Sequence, residues 1–216
     1  MKQLTFYFDP ISPFVFLAFE QLPRVLDGLS VCVDYQPVLF AAMLSHWGQK
    51  GPAEIDPKRA WTFRHVHWLA HRAGIEMHTP AQHPFNPLAL LRLALACAPE
   101  GRTPGRWVVE QMLRHVWQSG ADPNDPERLA ELTGRLAPRR DPNGAEVKQA
   151  LKAASARAVS QGVFGVPTMA HDGRFFWGVD SLDMLGASLR GDAWFDGRAW
   201  AQAAVAPPGV MRQSRT

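Results

Sequence analysis

Strand-forming sequence occurs only near the two ends of this 216-residue chain, and that limits the folds open to it. Residues 2–9, KQLTFYFD, are β-branched and aromatic and stop at Asp9-Pro10, which reads as a strand. Residues 13–27 carry apolar positions at helical spacing. Ser12 stands as a natural N-cap and Pro13 at the first helical position, while Pro23 predicts a kink. Residues 29–39 read as a second strand, so the first 40 residues form a β-α-β unit with parallel strands and a right-handed crossover. About 120 residues of helical periodicity follow, with helices expected over 57–73, 86–98, 105–119, 126–137 and 143–161. Strand character returns at 166–171, turns at Asp172-Gly173 and continues through 174–178. Asp180-Ser181 opens a last helix that runs to Leu189.

Composition excludes several function classes. Residues 1–197 hold 20 basic and 20 acidic side chains, and the surplus of +3 comes from Arg198, Arg212 and Arg215 in the tail. The body has no basic stripe or reading motif, so nucleic acid is not an expected partner. No run of 18 apolar residues lacks a charge, so no membrane span is expected. The first 20 residues are broken by Asp9, Pro10 and Pro13 and do not read as a signal peptide, which leaves a cytoplasmic location as the expectation. Two cysteines make no disulfide framework. Cys32 and Cys97 are expected to be buried small hydrophobes, and Met43, Met77, Met112, Met169 and Met184 core filler or pocket lining. Trp61, Trp68, Trp107 and Trp117 are expected to build the helical core, although one or two could wall an aromatic pocket. His65, His67 and His71 lack the Glu of a zinc-protease helix and any nearby carboxylate, so no metal is expected.

Three segments carry the chemistry. In Asp9-Pro10-Ile11-Ser12-Pro13-Phe14 a short loop delivers Ser12 to a helix N-terminus, where free N–H groups and the helix dipole favour negative charge. Ser12 could donate to a thiolate brought by a ligand, or it could only cap the helix. In residues 162–168, GVFGVPT, a cis Pro167 would expose the backbone of Val166 to an extended peptide. In Phe176-Trp177-Gly178-Val179-Asp180-Ser181, Asp180 could accept from an ammonium group or cap the last helix.

The order β-α-β, helical block, β-β-α is that of an α/β thioredoxin-like core with an all-helical domain inserted between its halves. The core is expected over 1–40 and 162–192 and the insertion over 41–161, with a tail from 193 to 216 that is partly disordered. Trp194, Phe195 and Trp200 of that tail could still pack on the body. Proteins of this fold that exchange dithiols carry Cys-x-x-Cys at the first helix; here residues 9–16 contain no cysteine.

The three segments, with Pro52-Ala53-Glu54-Ile55, Lys58-Arg59-Ala60 and Pro84-Phe85-Asn86, resemble the 2-hydroxychromene-2-carboxylate isomerases and kappa-class glutathione transferases of the DsbA-like branch. The resemblance covers residues 4–190 and implies glutathione as cofactor and a homodimer. It implies that Ser12 holds the glutathione sulfur, that Val166 beside cis-Pro167 pairs with the cysteinyl backbone, and that Asp180 and Ser181 take the γ-glutamyl end. The implied reaction is isomerisation of an aromatic hydroxy-pyruvate by transient thiolate addition. Lys50 is the candidate for the substrate carboxylate, or else a solvated loop lysine; Asn86 is the candidate for a substrate oxygen, or else a helix cap; Phe14 is a further substrate candidate. The chain departs from the family at Phe14 (often Tyr), Pro87 (usually Thr), Ser181 (often Arg) and the loop 47–51. A conjugating transferase and a cysteine-less binding protein are the alternatives.

Overall fold

The computed structural model describes residues 1–205 and 209. Its sheet has the order β2-β1-β3-β4, built from β1 (Lys2–Phe8), β2 (Val31–Pro37), β3 (Thr168–His171) and β4 (Arg174–Trp177). β1 runs parallel to β2 and antiparallel to β3, and β3 and β4 form the antiparallel hairpin expected around Asp172-Gly173. Asp172 lies at φ 51° and Gly173 at φ 70°, the left-handed pair that a tight hairpin turn requires.

α1 (Pro13–Leu26) crosses between β1 and β2 and buries Val15, Phe16, Phe19 and Leu22 against the sheet. It runs unbroken through Pro23, whose ring lies on the exposed side. A short helix that sequence periodicity did not reveal, α2 (Phe40–His46), leads out of β2. The inserted helices are α3 (Asp56–Ala73), α4 (Leu88–Cys97), α5 (Arg106–Trp117), α6 (Pro126–Leu136) and α7 (Ala145–Ser160). α8 (Leu182–Leu189) starts two residues later than expected, because Val179–Ser181 forms a separate 3-10 turn. No helix among the described residues is long and apolar enough to cross a membrane.

The insertion does not form its own core. Leu4 and Phe6 of β1 and Phe16 of α1 belong to one buried cluster with Val109, Trp117 and Leu132 of the inserted helices. A small second cluster ties Leu91 and Leu95 of α4 to Val147 and Leu151 of α7. The tail also takes part as far as it is described. Phe195 is buried, Phe176 lies 6.0 Å from it and 6.2 Å from Trp200, and α9 (Arg198–Ala203) follows. The expectation of a disordered end falls on residues 206–208 and 210–216, outside the described residues.

Three expectations for single side chains need correction. Of the four tryptophans assigned to the helical core only Trp117 is buried; Trp61, Trp68 and Trp107 are exposed. For Trp61 and Trp68 the cause is that α3 lies across the surface and buries only Val66 and Ala70. Met184 is likewise exposed. Cys32 and Cys97 are half-buried, and burial pushes the Cys97 thiol up, away from the reactive range.

Candidate active site

The Ser12 loop is fixed by its own Asp9 and by side chains from two other parts of the fold. Asp9, fully buried, accepts from the Ile11 N–H at 3.0 Å and from the Phe40 N–H at 2.9 Å, so it ties the loop to the start of α2. Trp117 Nε1 donates to the Pro10 carbonyl at 2.9 Å. His83 Nε2 lies 2.9 Å from the Ile11 carbonyl and must carry the proton to donate to it. His83 precedes a second cis peptide, His83-Pro84, and packs among Phe63, Phe85 and Trp117. Burial lowers its pKa and so favours the neutral ring, against the opposing pull of the Ile11 carbonyl. Burial raises Asp9 to about 7 even though both backbone bonds favour its charged form. Sequence reasoning named none of these three as site residues. Asp9 stood inside the Ser12 motif, but nothing marked His83 or Trp117 as partners of that loop.

Ser12 is only 8 % exposed and makes no side-chain cap to α1. Its hydroxyl instead donates to the Val166 carbonyl at 3.4 Å, a long bond for an O–H donor. The Val166-Pro167 peptide is cis, as the sequence predicts. The fold therefore brings the first two candidate segments together across 154 residues. Among the described residues the Val166 N–H bonds to nothing, which leaves a donor and an under-used acceptor side by side. Thr168 Oγ1 donates to the Gly165 carbonyl at 2.7 Å and Gly178 N–H to the Pro167 carbonyl at 3.0 Å, and these bonds hold the loop's shape.

Asp180 follows on the turn that leaves β4 and packs against α1. It is exposed and caps nothing, with Oδ1 folded over Gly178. Gly178 has φ 89°, and a Cβ there would collide with that oxygen. Ser181 is buried, and its hydroxyl is committed to the Gly178 carbonyl at 2.9 Å. Lys50 is exposed in a loop moored by Trp47 Nε1, which donates to the Val163 carbonyl at 3.4 Å. Asn86 is exposed, and its Oδ1 accepts from the Leu88 N–H at 3.1 Å, a capping contact at the start of α4. Phe14 packs edge-on to His65 with ring centres 6.0 Å apart. His67 bonds Thr79, and the described residues hold no group of three metal-ligating side chains. A cavity of about 300 Å³ lined by Gln21, Arg24, Asp183 and Arg190 lies along the C-terminal half of α1, apart from Ser12.

The model of the DSBA-like thioredoxin domain matches residues 3–190, nearly the whole described chain. The chain belongs to the DSBA-like thioredoxin family. Within this family it is 29 % identical over 198 residues to 2-hydroxychromene-2-carboxylate isomerase of Sphingobium xenophagum, covering 87 % of this chain and 98 % of the relative. It is 25 % identical over 210 residues to glutathione S-transferase kappa 1 of Homo sapiens, covering 89 % and 92 %. A solved 2-hydroxychromene-2-carboxylate isomerase superposes with a TM-score of 0.76 at 21 % identity, over 94 % of this chain and all of the other, and shares its fold. These relatives carry the names of an isomerase and a glutathione transferase; this chain has neither of its two cysteines at the first helix.

Proposed function

We propose that the protein is a glutathione-dependent isomerase of the 2-hydroxychromene-2-carboxylate type, acting on aromatic hydroxy-pyruvates. The observation that carries this reading is the Ser12 hydroxyl facing the Val166 carbonyl beside cis-Pro167, at a helix N-terminus without cysteine. The names of the relatives support the same choice of cofactor and reaction.

The residues fit glutathione. The Val166 N–H and C=O match the backbone of a cysteinyl residue in extended form. The uncommitted carboxylate of Asp180 suits the ammonium of a γ-glutamyl end, whereas the Ser181 hydroxyl supports the turn that presents it. When bound, glutathione supplies a thiolate that adds to a conjugated double bond and later leaves, so the bond can rotate while single. Ser12 turns its hydroxyl from Val166 to the sulfur, and the first N–H groups of α1 add to that stabilisation, which favours the ionised thiol. The ties from Asp9, Trp117 and His83 keep Ser12 in place, so no loop ordering is needed at each turnover.

Calorimetric titration with reduced glutathione tests the site. Saturable binding that weakens in Ser12→Ala is expected; no binding up to millimolar concentration contradicts the reading. Conjugation by a transferase would consume glutathione one for one, and product analysis separates that reaction from isomerisation.

A further inference from the structure

The loop that leads into cis-Pro167 meets an aromatic ring at three consecutive residues. The Val163 carbonyl accepts from the Trp47 indole N–H at 3.4 Å. Residue 164 is itself a phenylalanine. Gly165 is covered by Trp177, so closely that a Cβ there would meet the indole nitrogen at 2.6 Å. Only a glycine lets that ring lie on the backbone. Phe164 and Trp177 pack on each other with centres 5.0 Å apart and planes at 60°. All three rings are nonetheless exposed, while Val163 and Val166 on either side of Phe164 and Gly165 are buried. The valines anchor the loop, and the rings stand at its surface.

The place of this aromatic group decides what it can hold. Phe164 stands two residues before Val166, whose carbonyl takes the Ser12 hydroxyl. Two extended residues span about 7 Å, so Phe164 is tied within that distance of the Val166 backbone. Trp177 lies on Gly165, which adjoins Val166. Trp61, by contrast, reaches the start of α1 only through His65 and Phe14, in steps of 6.3 Å and 6.0 Å. On the proposed reaction the thiolate attacks a double bond conjugated to an aromatic ring, so that ring must lie within a short side chain's reach of the sulfur. A ring laid on Phe164 and Trp177 removes apolar area from water and gains the offset or edge contacts that aromatic pairs favour. We propose that the aromatic ring of the substrate lies on Phe164 and Trp177, with Trp47 at the edge of the same loop, and that this pair selects for ring-bearing acids. The seat rests on the isomerase reading for the identity of its ligand as substrate. It puts the aromatic wall on the cis-Pro loop and not on Trp61, Trp68 or Trp107 of the inserted helices.

The test is calorimetric titration with 1-naphthamide, an uncharged aromatic probe, and separately with reduced glutathione. Phe164→Leu and Trp177→Leu, which keep apolar bulk but remove the ring, should each weaken naphthamide about fivefold. Trp177→Phe should restore most of that affinity, and Trp61→Leu should leave it unchanged. Glutathione affinity should be the same in all four variants. Absence of glutathione binding in the wild type would contradict the isomerase reading, and the seat would still be read from naphthamide alone. The seat is overturned if naphthamide does not bind, if neither leucine variant alters its affinity, or if Trp61→Leu weakens it as much. It is also overturned if both leucine variants lose glutathione binding in step with naphthamide, since the rings would then only support the loop. A shift from dimer to monomer in Phe164→Leu, seen by sedimentation, would overturn it as well, because a second copy would then cover the pair.

Discussion

Ser12 stands at a helix N-terminus, where free N–H groups and the dipole favour negative charge, and under the proposed function a thiolate is what it meets there. Its bond to the Val166 carbonyl is long enough to be given up readily when a better acceptor arrives. A hydrogen bond to a charged acceptor contributes about 1.5–3 kcal/mol, so Ser12→Ala should lower turnover by roughly 10–100-fold while leaving the melting temperature nearly unchanged. Asp9 makes a different demand. Its carboxyl titrates near 7 in the folded chain and at 3.8 in the reference state, so the folded protein holds a proton that the unfolded chain has already released. Its contribution to stability is therefore complete below about pH 4 and is lost as pH rises towards 7, by up to about 4 kcal/mol. Urea melts at pH 4.5, 6 and 8 should show a downward slope in the wild type that is absent in Asp9→Asn. Equal slopes in the two proteins would contradict this assignment.

Among the elements, the turn after β4 is the one most dependent on its sequence. Gly178→Ala forces a side chain into φ 89° and against the Asp180 carboxylate. It should destabilise the fold by about 1–3 kcal/mol and weaken glutathione binding, as chemical denaturation and calorimetry would show. This turn also marks how far the sequence could be read. The strand pair, its hairpin and the motif containing Asp180 were legible because turn residues and alternation are local signals. The 3-10 turn that delays α8, and with it the Ser181 hydroxyl committed to Gly178, was not, because that turn is set by its packing on α1 and β4. The same divide applies at Ser12. Its place at the helix start was legible, but its choice of Val166 over the cap was set by a contact 154 residues away. α3 misled for a related reason. Trp61, Phe63, Trp68 and Leu69 among arginines and histidines look like a core helix, and only the packed structure leaves Trp61 and Trp68 outside.

Taken whole, the molecule joins its two sequence-defined halves through one core, and Trp117 is the side chain that bridges them. It is fully buried in the shared cluster while its indole N–H holds the Pro10 carbonyl of the Ser12 loop. Thermal unfolding should accordingly be a single transition, with no separate melting of the inserted helices. Trp117→Phe, which loses the hydrogen bond and leaves a void, should destabilise it by about 2 kcal/mol, or about 4–8 °C in a chain of this size. Two resolved calorimetric peaks would contradict the shared core. The central claim is that this fold borrows a thiol and returns it. The most direct measurement is turnover of 2-hydroxychromene-2-carboxylate with glutathione present at a small fraction of the substrate, following both species by chromatography. The account predicts many isomerisations per glutathione, an undiminished glutathione pool, and a strong loss in Ser12→Ala. Isomerisation that proceeds equally well without glutathione, or glutathione lost in step with substrate, would contradict it.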